Sequence, residues 1–167
     1  MTQRALAACL LSLALPIATL AAPQPESCPL HAQHQAEAAK ELDQRGDRVM
    51  GFEHARTTHH FLLQPDGGVV QVEVNDPSDT ESLGQIRRHL AQVAESFARG
   101  DFSMPLAIHD RVLPGVPEMT RLGGAIEYRY EEIETGARVR IATQDAGARV
   151  AIHAFLEAQI ADHRTED

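Results

Sequence analysis

The chain has no tryptophan, only two cysteines, and aromatic residues at 4% of its 167 positions. Two cysteines cannot staple a disulfide scaffold. No apolar run follows the first twenty residues, which excludes a polytopic membrane protein. Positive charge is scarce too. Fifteen Lys+Arg against 24 Asp+Glu give a formal charge of −9, the wrong sign for gripping nucleic-acid phosphates or an anionic membrane. There is no phosphate loop, dinucleotide fingerprint, Gly-x-Ser-x-Gly elbow or His-Glu-x-x-His, so no nucleotide cofactor is expected. What is present is 43% hydrophobic residues, enough for one packed domain, and nine histidines.

The first 21 residues read as a signal peptide. Arg4 supplies a positive start, Ala5 to Leu20 is uncharged and apolar, and Thr19-Leu20-Ala21 puts small residues at −3 and −1. Cleavage after Ala21 predicts a periplasmic or secreted protein with no stable membrane insertion after processing. An uncleaved anchor is the alternative, because Pro23 sits beside the cut. Processing removes Arg4 and no acid, making the chain one unit more negative, and it leaves Cys28 as the single thiol. Residues 22–28 form a polar leader, and residues 29–167 a single α+β domain.

Within that domain Leu30, His34, Ala38 and Leu42 recur every four residues, between Pro29 and Gly46, predicting a helix of about 15 residues. Two β-rich runs, 57–63 and 69–74, flank Pro65-Asp66-Gly67-Gly68. A type I′ turn on Asp66-Gly67 pairs Leu62 with Gln71 and His60 with Glu73. Val70, Val72 and Val74 then share a face with Leu63, Phe61 and His59. Ser78-Asp79-Thr80-Glu81 reads as a capping box opening a helix whose stripe is Leu83, Ile86, Leu90, Val93 and Phe97. Residues 101–122, with Pro105, Pro114 and Pro117, show no period and read as a long ordered loop. The pattern then repeats. Residues 126–130 alternate, Thr135-Gly136 turns, Glu131 faces Arg140, and a helix from about Ala146 carries Ile152, Phe155, Leu156 and Ile160. The predicted architecture is an N-terminal helix followed by two ββα units, with a four-stranded antiparallel sheet and helices on one face.

The histidines carry the chemical signal. His54, His59 and His60 lie within seven residues, and imidazole suits copper, zinc and nickel. Neighbours on a strand point opposite ways, so at most one of His59 and His60 joins His54 unless a bulge re-aims the other. His59 faces inward beside Phe61, where it either bonds to backbone or ligates. His60 faces outward across from Glu73, where a surface pair accounts for it. His89 and His153 border apolar stripes as packing residues. His163 falls on the last helix's stripe, and His109-Asp110 lies in the proline-rich stretch. The candidate metal residues are thus His54, His59, His60, His109 and His163, with copper or zinc as the ion. Met50, Met104 and Met119 are either soft copper ligands or core fillers.

Met50-Gly51-Phe52, Thr57-Thr58-His59-His60-Phe61, Asn75-Asp76, Ile86-Arg87-Arg88-His89-Leu90, Ile108-His109-Asp110 and Gln159-Ile160-Ala161-Asp162-His163 occur together. In this the chain resembles a family of small exported bacterial proteins of unknown function over residues 46–165. The resemblance implies one domain and brings no activity or cofactor. Three readings follow from the residues. The leading one is an exported metal-binding protein whose partner is a metal ion or small molecule. A non-catalytic binding or structural module with packing histidines is the second. The third is a hydrolase-type enzyme with His59, His109 or His163 as base, aided by Asp110 or Asp162.

Overall fold

A computed structural model describes residues 29–165 and Asp167. The signal peptide, its cleavage after Ala21 and the leader with Cys28 lie outside the described residues, as do the side chains of Leu30 and His31. Helix α1 spans Pro29–Met50 and runs straight through Gly46, past the expected end. It continues because Leu42, Gly46 and Met50 form a buried stripe at four-residue spacing. The stop is Gly51, whose φ of 81° is the left-handed value glycine adopts freely. Residues 33–38 of α1 are almost entirely exposed, and His34, expected on an apolar stripe, is among them.

A turn of 3-10 helix, His54–Arg56, leads into strand β1 (Thr57–Gln64), which returns as β2 (Gly67–Val74). Helix α2 (Thr80–Ala98) follows, then β3 (Ile126–Ile133), β4 (Gly136–Thr143) and helix α5 (Ala146–His163). The sheet is antiparallel with order β1-β2-β4-β3, and the fold is α+β as predicted. Each helix packs chiefly on the other unit's hairpin: α2 lies on β3 and β4, α5 on β1 and β2. Between sheet and helices sits one core of Phe61, Val72, Val139, Ile86, Phe155 and Leu156, with others, each worth about 1.5–3 kcal/mol of burial.

Both hairpins turn one residue earlier than expected, which slips the pairing by two. Gln64 pairs with Gly67 and Leu62 with Val69, so the loop is Pro65-Asp66, and His60 stands opposite Gln71 rather than Glu73. In the first hairpin proline supplies the reason: its ring fixes φ near −65°, the value the first loop position of a type I turn takes, so Pro65 draws the turn onto itself. The turn forms on the proline, and Gly67, at φ 142°, takes up the misfit. The second loop is Glu134-Thr135, which pairs Glu131 with Arg138 instead of Arg140 at a side-chain distance of 2.7 Å. A slip of two keeps every side chain on its predicted face. The cap of α2 also moves one place: Asp79, not Ser78, accepts the Ser82 amide at 3.1 Å.

The predicted long loop is in fact two short helices, α3 (Ser103–His109) and α4 (Val116–Arg121). Pro105 and Pro117 lie in their first turns, where a helix has no partner for the missing N–H. Their prolines hid the helices from a periodicity argument. The consequence for function is that His109 ends a helix, and Asp110 follows as its left-handed cap at φ 53°.

Candidate functional site

Four of the five predicted histidines converge at one end of the sheet. His59 points inward from β1, as its alternation requires. His54 reaches it from the 3-10 turn, His163 from the last residue of α5, and His109 from the end of α3. The ring centres of His54 and His59 are 4.9 Å apart, those of His54 and His163 5.4 Å, and those of His59 and His163 5.5 Å. These three rings lie within 20° of parallel. His109 meets His163 edge-on at 5.3 Å. Phe52 and Phe61 flank His59.

Carboxylates hold the outer two rings. Asp47 Oδ1 accepts from His54 Nδ1 at 2.8 Å and from the His54 amide at 2.9 Å. Asp162 Oδ2 accepts from His109 Nδ1 at 2.6 Å, while both Asp162 oxygens take bonds from Arg111. Arg45 Nε donates to the Ile108 carbonyl at 2.7 Å, tying α1 to the end of α3. With Nδ1 donating, each of these rings presents Nε2 as a bare lone pair. His54 Nε2 and His59 Nε2 are buried with no partner.

His59, His163 and His109 resist protonation. Burial, then the neighbouring His163 and His54, pushes His59 well below the ordinary imidazole value. Burial, then His109 and His54, takes His163 down to about 3. His109 is lowered by burial despite the opposing pull of Asp162. Its contact with that carboxylate is therefore a neutral imidazole donating to an anion rather than an ion pair.

His60 lies apart. It faces the other side of β1, and its Nδ1 lies 2.9 Å from Asp167 Oδ1, whose second oxygen takes the Phe61 amide. His89 is buried on α2, edge-on to Phe52, and burial lowers it to about 4. His153 Nε2 donates to the carbonyls of Gln64 and Gly67, latching the first hairpin onto α5. Asp110 is exposed, so Asp162 is the carboxylate beside His109.

Two hollows meet at the cluster. An outer cleft of about 640 Å³ is walled by Asp43, Asp47, His54, His60 and Arg164, among others. An inner cavity of about 60 Å³ lies between sheet, α2, α3 and α5, lined mainly by apolar side chains including Met50 and Met104. His59 and His163 line both, and so form the partition between them. Met119 is instead a fully buried core residue. Sequence reasoning missed Asp47 and Gln159. Asp47 reads as an ordinary helix acid, and Gln159 carries only the signal of lying one turn before His163. Among the described residues, no three His, Cys, Asp or Glu side chains are already set as a metal group. No helix there is long and apolar enough to cross a membrane. No family model, curated protein or solved structure matches the chain.

Proposed function

We propose that the protein is an exported binder of a transition-metal ion, copper or zinc, held by His54, His59 and His163 with His109 alongside. One observation carries this reading: three imidazoles stand in a triangle, and two of them have buried, unpartnered Nε2 atoms. The point equidistant from the three ring centres lies about 3 Å from each. That is where an ion sits when each ring ligates over about 2 Å, since a ring nitrogen lies about 1 Å from its own centre. The rings reach it by turning about χ2, a soft torsion for histidine. Asp47 and Asp162 fit the common pattern in which a carboxylate fixes the tautomer of a ligating imidazole. Met50 and Met104 nearby add soft donors that favour copper.

Isothermal titration of the metal-free mature protein with Cu²⁺ and Zn²⁺ tests the reading. Binding at neutral pH is expected, weakened at least tenfold in His59→Ala and in His163→Ala, and barely altered in His60→Ala. A wild type that binds neither ion, or unchanged binding in His59→Ala, overturns it.

A second reading rests on the bond between His109 and Asp162. A buried imidazole oriented by a carboxylate is the arrangement of a general base. It requires hydrolytic turnover by the metal-free protein that disappears in His109→Gln.

A further inference from the structure

The inner cavity has one group that the metal reading leaves unexplained. No Arg, Lys, Asp or Glu lines it, and its polar lining is His59, His89, His109, His163 and Gln159. Gln159 is 7% exposed; its side chain lies within interaction range of His109, yet its Oε1 makes no hydrogen bond of good geometry. A buried carbonyl left unpaired costs about 1–3 kcal/mol. Gln159 sits on α5 one turn from Phe155 and His163, where a methionine of similar length would cost nothing of the kind. A polar atom held at that cost inside an apolar hollow is suited to a ligand that arrives with a donor.

We infer that the cavity is a binding site for a small uncharged molecule, a short alcohol in chemical class, whose O–H donates to Gln159 Oε1 while its carbon body lies against Val72, Leu90 and Ile108. The volume sets the size. An apolar cavity of roughly 150 Å³ holds benzene, so about 60 Å³ holds two to three non-hydrogen atoms, on the order of ethanol's size. The lining sets the charge. With no ionised side chain on the wall, an ion would enter undersolvated and unpaired. The cavity meets the outer cleft at His59 and His163 and a second surface hollow at Met50 and His89, so a small molecule has a way in from either side. This site goes beyond the metal reading and needs no ion.

The test is an NMR titration of metal-free protein with ethanol, following the methyl groups of Val72, Leu90 and Ile108 and the Gln159 side-chain amide. Xenon serves as the apolar probe of the same hollow. Saturable shifts with ethanol are expected. In Gln159→Leu ethanol affinity should fall about fivefold while xenon still binds, which shows that the cavity is intact. Fluoroethane, of similar size but with no donor, should bind wild type about fivefold more weakly than ethanol, a comparison that requires no variant. A response to ethanol that never saturates overturns the inference. So does equal ethanol affinity in Gln159→Leu, equal affinity for fluoroethane, or bound water at Gln159 that ethanol does not displace. Titrating copper and zinc in parallel separates the two conclusions. Ethanol binding without metal binding removes only the metal reading, and the reverse removes only this one.

Discussion

Glycine at position 46 costs α1 roughly 1 kcal/mol of helix propensity relative to alanine. It is there because the His54 ring lies flat against the helix at that point, and a Cβ would overlap His54 Cε1. Gly46→Ala thus opposes two effects, a more stable helix and a displaced imidazole. We expect the melting temperature to hold or rise while metal affinity falls about tenfold, read by calorimetric melting and by titration. An affinity equal to wild type would mean that the His54 ring is not where the ion needs it. Asp47→Asn asks the same question of the tautomer. The amide no longer pins the proton on His54 Nδ1, and a loss of 10–100-fold in metal affinity is expected by titration. At this scale the sequence showed which residue types gather but not their orientation. His54, His59, His109 and His163 were candidates from spacing and alternation. Asp47 and Gln159 were not, because their roles depend on contacts between separate elements.

The elements were more legible than their ends. Strand alternation and the two helical stripes placed α2, α5 and all four strands, since burial of one face fixes those periods. Turn position was misplaced in both hairpins. The Asp-Gly signal is real, but Pro65 outranks it because its fixed negative φ suits the first loop position of a type I turn. Helices α3 and α4 were hidden because proline reads as a breaker unless its place in the first turn is known. Gly115, at φ 80° before α4, shows what holds this region together. A Cβ there would collide with the Ala151 carbonyl of α5, so the start of α4 rests directly on that helix. Gly115→Ala combines a strained backbone with a steric clash. We expect a loss of about 2 kcal/mol or more in urea denaturation, with metal affinity in the folded fraction little changed because no histidine contacts Gly115.

Over the whole molecule, the exchange of helices between hairpins closes the core around buried histidines, of which His59, His89, His109 and His163 are held below the ordinary imidazole value. Unfolding returns those imidazoles to water, where each titrates near 6.5. His89, His163 and His59 are lowered in the fold, the first two to about 4 and about 3. Between those values and 6.5 the unfolded chain therefore binds more protons than the folded one, and stability falls as pH falls. Above 6.5 both states are neutral and these groups contribute no slope. Metal-free protein should accordingly melt at a constant temperature from pH 8 to about 7 and at progressively lower temperatures from about 6.5 to 4. His89→Gln isolates one contribution, since His89 is lowered by burial alone and lies outside the proposed metal triangle. It should flatten the acid limb without altering metal affinity at pH 7. A limb of unchanged steepness in His89→Gln would mean that this imidazole is already protonated, or already hydrated, in the folded state. The cavity wall at His89 would then be wetter than its packing against Phe52 implies.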